Sequence, residues 1–164
     1  DAENYIKIFT LKNQVEINTL ITKHKENPHL RLLQKAIAEE VTLRVHGKKD
    51  LEMAIKASNI LFGKSTTSDL KSLDEDTFLA IFEGVQKFQI KTVDLKSRII
   101  TVLADKTQIF NSKGEARRMI SSNAVSINKE KITENFQLSK NNLLNEKYIL
   151  IQKGKKNYFV IIVG

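Results

Sequence analysis

The chain has 164 residues, 41% of them hydrophobic and 28% charged, with no cysteine and a net charge of +8. That composition is ordinary for a folded, soluble protein, and it excludes disulfides and thiol-based metal sites or nucleophiles. No apolar run approaches the ~18 residues that cross a bilayer, and no signal-peptide pattern opens the chain, so no membrane partner is expected and a cytoplasmic location fits.

The excess charge is localised. Residues 1–94 carry fourteen Lys/Arg and fourteen Asp/Glu, whereas residues 95–164 carry thirteen against five. Solubilising charge would spread evenly; a nucleic-acid module joined to a neutral one divides like this. Beginning at Asp1 rather than Met, the chain reads as a piece of something longer.

The first part reads as helical. Val15, Ile17, Leu20 and Ile21 give a short helical pattern over 13–26. Pro28 sits where a helix begins, since its fixed φ suits a first turn. Leu30, Leu33, Ile37, Val41 and Val45 then share one face at i, i+3, i+4 spacing. Leu32, Ala36 and Leu43 form a second stripe. Gly47 ends this helix in the manner of a C-cap. Another helix runs over 49–62 and stops at Gly63, KSTTSDLKS reads as a loop, and DEDTFLAIFEG reads as a short helix with acids in its first turn.

GVQKFQIKTVD alternates without a helical period and reads as a linker or strand at a domain boundary, where the charge balance also changes. A helix follows in LKSRIITVL, with Leu95, Ile99, Val102 and Leu103 on one face. Ser112 and Glu115 form an S-x-x-E capping box that starts a helix at Lys113. Its Ala116, Met119 and Ile120 point inward, while Lys113, Arg117 and Ser121 follow an outward arc widened by Arg118. Cations at a helix start oppose the dipole, so an anion there would gain from the cations and from the free N–H groups. Gly114 lets a backbone come close. Ser122-Asn123-Ala124 turns the chain, with Asn123 suited to a left-handed position. VSIN is a strand and NKEK a polar turn. YILIQKGKKNYFVIIVG reads as a hairpin over 148–163 with a basic tip, Lys153, Lys155 and Lys156. Together with Lys96 and Arg98, these cations are the candidate phosphate contacts.

Other motifs carry no chemistry. FGKSTTS contains Gly-Lys-Ser, but a P-loop needs glycine at position 58, which is Ser, and a strand leading in. His24, His29 and His46 lack metal-ligand spacing. Glu39-Glu40 and Asp74-Glu75-Asp76 read as solvated helix residues. No catalytic or metal-binding residue is expected.

SKGEARRMI…VSIN resembles the S-four RNA-binding module, named after a small-subunit ribosomal protein. KHKENPHLRLLQKAIAEEVTLRVHG, the next helix ending in LFG, YIKIFTL and DEDTFLAIFEGV resemble the helical anticodon-binding region of bacterial tyrosyl-tRNA synthetases, in family order. The resemblance implies a parent enzyme that attaches tyrosine to tRNA(Tyr) using ATP and Mg2+, normally as a homodimer. It implies for this chain a monomeric, non-catalytic role without a cofactor, because the family's nucleotide-binding signatures are absent. Lys113, Gly114, Arg117 and Arg118 match the module's RNA-binding motif, Asn128 matches its turn, and Lys153, Lys155 and Lys156 match its basic hairpin. The family's glycine-rich turn is Asn123-Ala124 here. The expected class is therefore α+β: an α-helical domain over 1–84, a linker over 85–92, and an RNA-binding domain over 93–164 with two helices on a small sheet. Rival readings are a ribosomal-RNA or ribosome-binding protein, a pseudouridine synthase and a protein-interaction module. The synthase would need an Asp in an Arg-Leu-Asp context, which the chain lacks.

Overall fold

The computed structural model describes residues 1–63 and 65–164. The class is α+β, and the chain divides into two compact units, Asp1–Ser58 and Asn59–Gly164.

The first unit is helical. Helix α1 covers Ala2–Phe9 and α2 covers Gln14–Glu26. Asn13 starts α2 with a full capping box: its side chain accepts the Glu16 N–H, and the Glu16 carboxylate accepts the Asn13 N–H. Pro28–Leu30 forms a 3-10 turn, so the long helix α3, Leu32–Phe62, begins after the proline rather than at it. Gly47 breaks α3 with φ 86° and ψ 177°, a conformation open only to glycine, as the sequence pattern places it. Ile6, Ile17 and Leu33 form the buried cluster of this unit. Val41, Leu43 and Val45, which belong to the two apolar stripes of the sequence, are exposed.

The second unit starts within the last turn of α3. Two short helices follow, α4 (Thr67–Lys71) and α5 (Glu75–Ile81). The first occupies part of the expected loop KSTTSDLKS, of which Lys64 lies outside the described residues. Thr66 and Asp69 make it a helix through a reciprocal capping box. Asp74 caps α5 by accepting the Thr77 N–H at 2.8 Å.

The sheet has five strands in the order β1-β5-β4-β2-β3. These are β1 (Gln86–Ile90), β2 (Val125–Ile127), β3 (Glu130–Lys131), β4 (Tyr148–Lys153) and β5 (Asn157–Val163). Residues 86–90, inside the stretch expected as a linker or strand, pair parallel with β5, Gln86 opposite Phe159 and Ile90 opposite Val163. The 85–92 segment is thus built into the second unit, whose boundary falls earlier in the chain. The β4–β5 hairpin forms as expected, each strand reaching one residue into the expected tip so that Lys153 lies opposite Asn157. Between β2 and β3 the two-residue turn Asn128-Lys129 has φ 48° and 74°, the left-handed pair that matches strand twist.

LKSRIITVL is not one continuous helix. Thr92–Lys96 is a 3-10 turn, Ser97 is extended, α6 covers Ile99–Thr101, and Val102–Lys106 is a π-turn. Thr107 holds the π-turn: its N–H and its hydroxyl both donate to the Val102 carbonyl, at 3.1 and 2.9 Å. Leu95, Ile99, Val102 and Leu103 are nevertheless all buried, so the predicted face survives the broken helix. Helix α7, Lys113–Ser121, packs Ala116 and Ile120 onto the same core, and the sheet contributes Val125, Ile149, Ile151 and Ile161.

Candidate nucleic-acid interface

Helix α7 presents the basic face. Ser112 caps it by accepting the Glu115 N–H at 3.1 Å. The return bond goes one residue further back than a capping box would have it: Glu115 Oε2 accepts the Asn111 N–H at 2.9 Å. Its other oxygen accepts from Lys153 Nζ at 2.7 Å. The Lys153 ammonium first, and the Asn111 N–H second, hold the Glu115 carboxyl below the usual carboxylate range. Lys153 also reaches the Ile109 carbonyl at 3.3 Å and lies 4.3 Å from the Phe110 ring centroid. This lysine joins the β4 end of the hairpin to the start of α7.

The outward arc of α7 meets the segment after β3. Arg117 Nε donates to Glu134 Oε2 at 3.0 Å, and Ser121 Oγ donates to Glu134 Oε1 at 3.0 Å. Lys113 Nζ stands 2.6 Å from Asp105 of the π-turn. Both ion pairs are solvent-exposed, so each is worth little, ~0–1 kcal/mol, and a phosphate can take the place of Asp105 beside Lys113 at small cost. These pairs also explain why cations are tolerated near the helix start.

Arg98 joins them from the residue before α6. It forms a lone antiparallel bridge with Gln137, and the two segments bound a cleft of about 420 Å³. Arg98, Lys113, Arg117, Glu134, Phe136 and Gln137 line it. Three cations separated by up to nineteen residues are therefore brought to one concavity. Sequence reasoning found the cations but not Glu134 or Phe136. Their only signal is the ENFQ stretch, an acid and an aromatic set among amides.

The remaining candidates lie elsewhere. Lys155 and Lys156 are exposed at the hairpin tip, and Lys96 is exposed in its 3-10 turn. Arg118 is exposed on α7. Gly114 is exposed too, and a Cβ there would meet only Ser112 Oγ at 3.8 Å, so the fold itself does not require glycine. Asn128 is buried. Its N–H donates to the Leu150 carbonyl, its Oδ1 accepts the Leu150 N–H, its Nδ2 donates to the Asn142 carbonyl, and its carbonyl accepts from Thr67. Every polar group of Asn128 is thus spent on the fold. Asn123 takes φ 55°, which lets the turn after α7 close without the family's glycine.

The family emerges from comparison with known proteins. The profile of the Tyrosine--tRNA ligase SYY-like C-terminal domain matches residues 77–161, more than half of the chain. The chain belongs to that family. Tyrosine–tRNA ligase of Flavobacterium johnsoniae is 55% identical over 165 residues, covering 99% of this chain and 38% of the relative. The Bacteroides fragilis ligase is 50% identical with the same coverage, and that of Porphyromonas gingivalis is 49% identical, covering 99% and 39%. The chain spans a little over a third of the curated ligases it matches. The family profile begins within α5, ends two residues before the end of β5, and takes in the other four strands and the basic cleft.

Gly63 ends α3, its N–H donating to the Asn59 carbonyl at 2.9 Å, rather than opening a phosphate loop. Among the described residues, no group of three His, Cys, Asp or Glu is placed to hold a metal, and no helix is long and apolar enough to cross a membrane.

Proposed function

We propose that this chain is the tRNA-gripping part of a tyrosine–tRNA ligase and that its ligand is tyrosine tRNA. The convergence of Arg98, Lys113 and Arg117 on one cleft, in a family of ligase C-terminal domains, carries this reading. Phosphates displace Asp105 from Lys113 and take the outer nitrogens of Arg117 and Arg98, and release of the RNA's counterions supplies affinity. Lys155, Lys156, Lys96 and Arg118 extend the positive surface, Gly114 gives close access to the helix start, and Ser121 and Lys153 act by orienting Glu134 and Glu115. Asn128 contributes by fixing the β2–β4 pairing.

In this reading residues 1–84 place the anticodon arm and residues 93–164 hold phosphates. Tyrosylation with ATP and Mg2+ then belongs to the part of the ligase outside this chain, in a cytoplasmic homodimer, while the chain alone is monomeric. Binding of tyrosine tRNA, an unrelated tRNA and a ribosomal RNA hairpin across a salt series tests it. Preference for tyrosine tRNA persisting at moderate salt is expected. Equal, salt-labile binding to all three would leave only a general RNA-binding surface, and preference for the ribosomal hairpin would favour a ribosome-directed protein.

A further inference from the structure

A surface that only held duplex phosphates would need cations and little else. The cleft beside α7 has more. Phe136 and Ile100 give it apolar walls, and a carboxylate, Glu134, stands among the cations. At about 420 Å³ it falls within the ~300–1,000 Å³ of small-ligand pockets.

Glu134 is oriented rather than loose. Arg117 Nε holds one carboxylate oxygen and Ser121 Oγ the other. An ionised carboxylate has about four acceptor sites, so two remain open. The Nε contact also leaves the terminal nitrogens of Arg117 available. Arg98 makes no ion pair among the described residues. The cleft therefore offers free guanidinium donors, an aromatic wall and a fixed pair of acceptors.

We propose, building on the RNA-binding reading above, that this cleft is a subsite for one unstacked guanosine nucleotide. Arg98 and Arg117 hold its phosphate, and Phe136 stacks on the base. Glu134 accepts from the base edge. Among the four bases only guanine presents two adjacent donors, N1–H and N2–H, on its Watson–Crick edge. Uracil, cytosine and adenine each place a lone pair where one of those donors would be, and a carboxylate repels it. An acidic peptide, the other ligand for clustered arginines, would meet the same repulsion from Glu134.

The probe is a short RNA hairpin carrying one bulged nucleotide, G, A, C or U, alongside the fully paired hairpin, each titrated with this chain at several salt concentrations. Bulged G should bind at least about tenfold more tightly than the other three, in line with a two-point base contact. Glu134→Gln should bring the four bulged RNAs to within about twofold of one another, with the thermal transition of residues 59–164 retained. Phe136→Leu should lower affinity for every bulged RNA relative to the paired hairpin. Salt-dependent binding of all five RNAs with equal affinity would overturn the subsite and leave the RNA-binding surface standing. Tighter binding of all bulged RNAs without base order would overturn the role of Glu134. Binding of none of the five, together with no binding of tyrosine tRNA, would overturn both readings.

Discussion

Among the described residues, thirty hydrophobic side chains are buried in residues 59–164 and three in residues 1–58. The large hydrophobics left exposed divide the other way, ten in the first unit and two in the second. Both units contain amphipathic helices with clear patterns. Only the second gives its apolar faces something broad to lie on, a five-stranded sheet whose central strands are buried along most of their length. The pattern of a helix says which face is apolar; the amount buried depends on what the topology sets opposite it. The helices of residues 1–58 owe their order largely to caps and to a handful of contacts, and those of residues 59–164 to a core.

This contrast can be broken at several points. Leu103→Ala, in the core of the second unit, should cost roughly 2–5 kcal/mol and lower a cooperative transition read by urea unfolding. Hydrogen exchange on the unsubstituted chain should show residues 1–58 exchanging through openings of lower free energy; equal protection in both units would dissolve the contrast.

Asn128→Ala strands the Leu150 N–H and the Asn142 carbonyl, which should destabilise the second unit by about 1–3 kcal/mol. RNA affinity per folded molecule should not change, so a loss of affinity in fully folded protein would return Asn128 to the binding surface. Arg117→Ala combined with Arg118→Ala should leave the melting temperature nearly unchanged. It should reduce the slope of log affinity against log salt by about 2. An unaltered slope would remove α7 from the interface.

Smaller effects sharpen the division between folding and binding. Gly114→Ala should stabilise α7 by about 0.5–1 kcal/mol, because it removes glycine's backbone freedom and the added methyl meets only Ser112 Oγ at 3.8 Å, while weakening RNA binding. Acid should act through Glu115. Its folded pKa is depressed by Lys153, so its contribution is complete above the ordinary glutamate value and is lost as pH falls through the lowered folded value. NMR titration of the Glu115 carboxyl should show a midpoint below that of an exposed glutamate, and Lys153→Met should move it back up.

Much of this was legible in the sequence, for local reasons. The face of α7, the Ser112 cap, the break at Gly47, the turn at Asn123 and the β4–β5 hairpin all follow from residues within a few positions of one another. Contacts between distant segments were hidden. Nothing near Glu134 announces that it meets Arg117, seventeen residues away, and Lys153, expected among the phosphate contacts, instead closes on Glu115 thirty-eight residues back. The π-turn was hidden for a different reason. LKSRIITVL has a helical face, and the face is kept, while Thr107 diverts the backbone bonds beneath it. In the first unit the stripes on α3 were real but did not reveal that Val41, Leu43 and Val45 face solvent.

The place of β5 has a bearing on synthesis. It follows the other strands in chain order, yet it stands between β1 and β4, and among the described residues β1 has no other partner in the sheet. A nascent chain that has already released β1, α7 and β2 from the ribosome still lacks the strand that joins the two sides. Until β5 emerges, β1 must wait with its edge unpaired across some seventy residues of later sequence, protected mainly by its polar Gln86, Lys87 and Gln89. Joining β1 to the rest of the sheet is thereby deferred until β5 has been made, and a ribosome stalled before β5 would hold out a chain with helices formed and no completed sheet to cover them.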